Sequence, residues 1–423
     1  MKRGMVIRQY VGKLIDIVII TYVLFNILFG NYSYESNRNI ALIALYLSIE
    51  WLYKSHKSKV WFMNAIMLFY FNYSIIIQEY MLFYWKIPAY MKYHTIDYYG
   101  IAINIFTVFL FIYVKMVDIE PCMEIKFKTR SFKPWILLVI VVVLLLIFIF
   151  AIDRNIAGTY EVKITSFYEY AYLLFIIAFY YSNNSLKCNV FFMLFAMIFI
   201  IQDLYLGGRI TSLQILLVLF YMNYNRLRIG NKKMVWLILI GIIIFNAVGV
   251  YRVNYSTNGL SVNSIVENIF EQRFVLDTAY NSYYSTITHI VARERTEFIE
   301  QVANFCGFLL DLTGINLDNY LYLTNYVRSL GIANIGGGWY ASHFFFWFGW
   351  FGVIVGSMIL VYITKTIMSK KNNLFNDLSQ LQLITILSTF PRWYMYTPLS
   401  FFKGILLITI LYILCERRLR IKW

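Results

Sequence analysis

The sequence predicts an all-α polytopic integral membrane protein with about twelve transmembrane helices, both ends cytoplasmic, and one large, partly helical extracytoplasmic loop. Three observations predict it. Of the 423 residues, 60% are hydrophobic and only 14% charged, with a mean hydropathy of +0.63. A water-soluble chain of that make-up could not cover its surface with polar groups, whereas in a bilayer apolar residues face lipid. Apolar runs bounded by charge recur along the chain, and each crossing needs about 20 mostly apolar residues. Tyrosine (37) and tryptophan (10) are abundant, which suits a membrane boundary where the ring is dry and the polar tip wet.

The first run, roughly 14–30, follows the basic stretch Met1 to Lys13 like a signal sequence. Its length and the lack of an Ala-x-Ala-like site predict a retained helix instead. Runs follow at roughly 38–53, 60–85, 99–117, 135–152 and 167–182. Those at roughly 188–206 and 209–224 are joined so tightly that they form a hairpin with Gly207, Gly208 and Arg209 at its tip. A ninth run, roughly 235–251, completes a first block, 1–251. The hydrophilic stretch 252–337 is the large outer loop. Runs at roughly 338–364, 374–390 and 396–415 make up the block 338–423. With only five prolines, long helices are rarely interrupted.

Charge fixes the expected orientation. With the N-terminus inside, about 24 of the 37 lysines and arginines fall on cytoplasmic segments, as the positive-inside bias requires. The formal charge of +15 is then topogenic charge beside anionic lipid headgroups and calls for no nucleic acid. Cys122, Cys188 and Cys415 fall on or near the inner side and Cys306 alone outside, so no disulfide framework forms there. No metal-ligand spacing and no phosphate-binding Gly-Lys-Ser/Thr loop occurs, so no cofactor is expected. The longest inner loop, about 115–134, is too short for a nucleotide site, so the substrates of an enzyme here would be lipid-borne or outside.

Some outer basic residues run against the charge bias. Arg209 sits at the hairpin tip, Arg252 ends the ninth run in Gly249-Val250-Tyr251-Arg252, and Arg392 lies in Phe390-Pro391-Arg392-Trp393. A guanidinium offers a fixed fork of donors for phosphate oxygens, and three together could clamp a lipid pyrophosphate. Taken singly, each could equally snorkel to headgroup phosphates. Gly207 and Gly208 would let the backbone approach a ligand closely.

In the large loop, Glu267, Glu271, Arg273 and Asp277 have helical spacing. They read either as a solvated face with ordinary pairs or as a source of a general base for a sugar hydroxyl. Arg293, Glu294, Arg295, Glu297 and Glu300 read as a solvated face, and Phe298 to Leu312 is apolar enough to lie along the membrane surface. His289 and His343 can take a proton near neutral pH, so either is a candidate base or a structural histidine. Glu50, Glu79, Glu169 and Asp203 lie close to span ends, with no acidic chain through the bilayer centre.

Three pieces together resemble the Wzy-type O-antigen and capsular polysaccharide polymerases, the oligosaccharide repeat unit polymerases. They are Leu206-Gly207-Gly208-Arg209-Ile210-Thr211, the loop entered through Tyr251-Arg252-Val253-Asn254, and Gly336-Gly337-Gly338 followed by Phe348-Gly349-Trp350-Phe351-Gly352. The motifs cover about residues 200–355. No outer arginine has glycine at the Arg-x10-Gly offset of some members, and His343 precedes Phe344 where related ligases carry His-Asn. The resemblance implies glycosyl transfer on the outer face of a bacterial inner membrane, building O-antigen lipopolysaccharide or capsule. Donor and acceptor would be undecaprenyl-pyrophosphate-linked oligosaccharides, transfer would be inverting and metal-independent, and the pathway's chain-length regulator and flippase would be partners besides membrane lipids. In that reading Arg209, Arg252, Arg392 and Arg273 hold the pyrophosphate, and Asp277, Glu271 or His289 is the base. Gly207, Gly208, Gly337, Gly338, Tyr340 and His343 shape the substrate loop.

The main rival is a lipid-linked oligosaccharide flippase, for which two similar halves and a charged central cavity would be expected. A membrane O-acyltransferase would need a polar cytoplasmic entry for acyl-CoA, and a scaffold role leaves the outer arginines unexplained.

Overall fold

Where the hydropathy of the chain is continuous, so in general is its helix. The computed structural model describes residues 2–30, 32–80, 96–119, 125, 127, 132–151, 165–182, 185–206, 208–227, 230–254, 276–315, 322–334, 336–369 and 376–417. In the first half the helices are α1 (Lys2–Phe29), α2 (Tyr34–Ser55), α3 (Lys59–Tyr80), α4 (Ile96–Met116), α5 (Pro134–Phe150), α6 (Ser166–Glu169), α7 (Ala171–Ser182) and α8 (Leu186–Tyr205). There follow α9 (Ile210–Leu227), α10 (Asn231–Asn254), α11 (Leu276–Glu294), α12 (Phe298–Leu312), α13 (Leu323–Ser329), α14 (Tyr340–Ser369), α15 (Asn376–Ser388), α16 (Phe390–Met395) and α17 (Leu399–Arg417). Local chemistry sets several starts. Ser33 and Ser185 accept from the amides of Ser36 and Cys188 to cap α2 and α8, and Pro134 opens α5, where a missing N–H costs nothing.

The expected twelve crossings and the matching placement of both ends inside are corrected by these helices. Among the described residues, five stretches are long and apolar enough to cross a membrane: Tyr10–Phe29, Ile96–Met116, Leu186–Tyr205, Tyr340–Ser369 and Leu399–Glu416. Hydropathy registers apolar content but not breaks or length. The run expected at about 167–182 is divided at Tyr170, leaving α7 with 12 residues, or roughly 18 Å of a 30 Å core. The run expected at about 374–390 yields α15 with 13 residues. α2 has 22 residues but carries Glu35, Arg38, Glu50 and Lys54, which make it too polar to qualify. The chain is a multi-pass all-α membrane protein, with fewer candidate crossings among the described residues than apolar runs in the sequence.

Exposed apolar side chains mark the lipid-facing surface: Leu14 and Leu28 on α1, Leu138 and Phe150 on α5, and Leu194 and Ile201 on α8. The interior is aromatic and polar-bridged. Asn72 donates to Ser48 at 2.9 Å and accepts from the Tyr394 hydroxyl at 2.6 Å, tying α2, α3 and α16. Lys115 bridges Asp16 and Glu50 at 2.6 and 2.5 Å. α11, expected within the outer loop, packs against α3, α4 and α14 and buries Tyr283, Ile287, Ile290 and Val291.

α14 was expected as one uninterrupted span but is broken at Gly349 (φ 62, ψ −147). Arg293, expected on a solvated face, instead points inward to this break. It donates to the carbonyls of Phe345 (3.1 Å) and Phe346 (2.6 Å) and to Gln301 (2.8 Å). The break frees carbonyls that have no helical partner, and a half-buried guanidinium satisfies them. Its neighbours Glu294, Arg295, Glu297 and Glu300 are exposed, as a solvated face requires.

Candidate functional site

A cavity of about 580 Å³ opens between the start of α9, α12, the loop before α14, and α16 and α17. Its walls carry three cations (Arg209, Arg392 and Lys403) and three acids (Glu169, Asp203 and Asp311). That volume lies in the range of about 300–1,000 Å³ typical of small-ligand sites.

Each charged group is placed by its local structure. The amide and hydroxyl of Ser212 donate to one oxygen of Asp203, at 2.8 and 2.6 Å, which caps α9 from a distance. A Cβ on Gly208 would lie 2.2 Å from the other oxygen, so only glycine admits the carboxylate there. Arg209 follows at once and lines the cavity. Arg392, on α16, forms an ion pair with Glu169 at the end of α6, the two side chains 22% and 33% exposed. Burial works against the charge on Arg392, but the Glu169 carboxylate, together with Tyr170 and Tyr172, more than offsets it and holds the guanidinium above its ordinary value. Lys403, in α17, lies 3.3 Å from Asp311.

α12 explains how Asp311 reaches this interior. It is amphipathic in the inverted sense: Gln301, Asn304, Gly307 and Asp311 are buried, while Phe298 and Ile299 are 65% and 73% exposed. Asn304 accepts from the Trp347 indole at 2.8 Å, fixing the polar face against α14.

The glycine loop before α14 is shaped by close approach. Gly337 (φ 82) passes so near Met395 and Tyr396 that a Cβ would lie 3.1 Å from the Met395 carbonyl, and one on Gly338 (φ 145) would strike the His289 ring at 2.3 Å. His289 contacts Ser342 at 2.9 Å and stacks edge-on with His343, ring centroids 4.8 Å apart. His343 reaches the Trp339 carbonyl at 3.2 Å through Nδ1, which must be the donor, leaving Nε2 as the basic nitrogen. Tyr340 donates to the Gly356 carbonyl at 3.0 Å and is fully packed.

Of the residues singled out in the sequence, Arg209, Arg392, Glu169, Asp203, Gly208, Gly337 and His343 therefore line one cavity. His289, Gly338 and Tyr340 stand behind its wall as packing partners. Arg252 lies at the end of α10 and Asp277 at the start of α11, but their side chains, and all of Gly207, Glu271 and Arg273, lie outside the described residues. Lys403 and Asp311 were missed. Their signal is legible in retrospect: each is an isolated charge in an otherwise apolar stretch. Compared with protein-family models, with curated proteins and with solved structures, the chain matches none.

Proposed function

We propose that the chain is a membrane glycosyltransferase that polymerises undecaprenyl-pyrophosphate-linked oligosaccharide repeat units on the outer face of a bacterial inner membrane, with O-antigen or capsular polysaccharide as product. The observation that carries this reading is the meeting of Arg209 and Arg392, distant in sequence, in one cavity beside Gly208 and Gly337. The leaving group of such a transfer is a pyrophosphate, and fixed guanidinium donors stabilise the charge that develops as the glycosidic bond breaks. One direct displacement gives inversion at the anomeric carbon. The partners on this reading are the lipid-linked substrates and surrounding lipids, with a chain-length regulator and flippase acting alongside.

One observation favours a second reading. A cavity walled by three cations and three acids is what a lipid-linked oligosaccharide flippase would also use. One experiment separates the two: purified protein in liposomes, synthetic undecaprenyl-pyrophosphate repeat units, no nucleotide sugar, and product length read on a gel. A ladder that disappears in Arg209→Ala and Arg392→Ala supports the polymerase. A ladder unchanged in both variants rules out this cavity as the site. Transbilayer movement of the substrate without a ladder supports the flippase.

A further inference from the structure

We infer that Asp311 is the general base that takes the proton from the acceptor sugar hydroxyl, an assignment that rests on the glycosyl-transfer reading above. The carboxylate is nine-tenths buried on the inward face of α12 and lines the cavity that holds Arg209 and Arg392. Its two oxygens differ. Oδ1 faces Lys403 at 3.3 Å, while Oδ2 is buried without a hydrogen-bond partner. A desolvated carboxylate oxygen left open is costly unless a donor arrives. A substrate hydroxyl in the cavity is such a donor.

The other groups at the cavity are occupied differently. Asp203 is held by the α9 amide and hydroxyl of Ser212, and Glu169 is bound to Arg392. The Tyr322 phenol borders Asp311 and directs its hydroxyl at that carboxylate, though no close hydrogen bond falls on Oδ2. Burial, then the Asp311 charge, raises this phenol to about 12, so it keeps its own proton and does not compete as a base. In the step, the acceptor O–H bond breaks and its proton passes to Oδ2. The oxygen forms a bond to the anomeric carbon as the bond from that carbon to the pyrophosphate oxygen breaks. The electron pair leaves on the pyrophosphate beside Arg209 and Arg392, and Asp311 later returns its proton to water.

The test uses full-length protein in liposomes and two readouts, the product ladder and binding of inorganic pyrophosphate. Asp311→Asn is expected to slow ladder formation by about 10²–10⁴-fold while binding pyrophosphate no more weakly than wild type. A variant keeping more than about a tenth of the rate overturns the assignment. If Asp311→Asn also loses pyrophosphate binding, Asp311→Glu decides. Displacing the base by one methylene should cost about 10²-fold, and a rate equal to wild type overturns the role. If wild-type protein forms no ladder, the polymerase reading fails and Asp311's role fails with it. A wild-type ladder that survives Asp311→Asn removes only the role of Asp311.

Discussion

The guanidinium of Arg293 lies 3.2 Å from the point where a side chain on Gly349 would begin, so the break in α14 and the arginine that fills it form one device. Two consequences can be measured. Gly349→Ala would force a left-handed backbone conformation on a residue with a Cβ and crowd the guanidinium. Arg293→Met would leave the Phe345 and Phe346 carbonyls without their donor, at a cost of about 1–3 kcal/mol for each buried group left unpaired. Both variants should melt at lower temperature in detergent, and the double variant should lose less than the sum of the two. Strict additivity would mean that the two residues do not act together.

Gly208 and Asp203 form a second tight pair. A methyl on Gly208 would meet the carboxylate at 2.2 Å, and that carboxylate cannot retreat without releasing the α9 amide it caps. Gly208→Ala should therefore destabilise the protein by about 1–3 kcal/mol and weaken pyrophosphate binding by displacing Arg209. Isothermal titration with inorganic pyrophosphate and a melting curve test both. Unchanged values would show that the loop shifts freely.

How much of this site could be read from the sequence depends on the kind of signal. Arg209 and Arg392 stood out because they oppose the charge bias of a membrane protein, and they meet in the cavity. Lys403 and Asp311 were hidden inside segments judged only by mean apolarity, where one charge hardly alters an average. The inward turn of α12's polar face reverses the soluble-protein rule, so polar residues at helical spacing do not by themselves announce a cavity. The breaks at Tyr170 and Gly349 were equally silent, since tyrosine is common in helices. At Gly349 only the neighbouring Arg293 explains how an interrupted helix is tolerated.

pH should act on stability through His289. Burial first, and the adjacent His343 second, hold it well below the ordinary histidine value, so it is neutral in the folded protein. In the unfolded chain it gains a proton near pH 6.5. As pH falls through about 6.5 the unfolded state binds a proton that the folded state refuses, and stability drops. The melting temperature should thus be nearly level above neutrality and decline in mild acid. His289→Asn, which keeps a polar partner for Ser342, should flatten part of that decline. A decline equally steep in the variant would place its origin elsewhere.

The Arg392–Glu169 pair sets up a competition that can be read directly. An incoming pyrophosphate must share or displace the carboxylate that already occupies the guanidinium, and that exchange reduces the net gain on binding. Neutralising the competitor should help: Glu169→Gln is expected to tighten inorganic pyrophosphate binding by about tenfold, equivalent to about 1.4 kcal/mol. Arg392→Lys keeps the charge but loses the planar fork, and should weaken binding by a similar factor. Because a guanidinium stays protonated at any usable pH, these effects should not depend on pH through Arg392. The argument fails if Glu169→Gln weakens binding. That outcome would mean the carboxylate positions Arg392 for its ligand and does not compete with it.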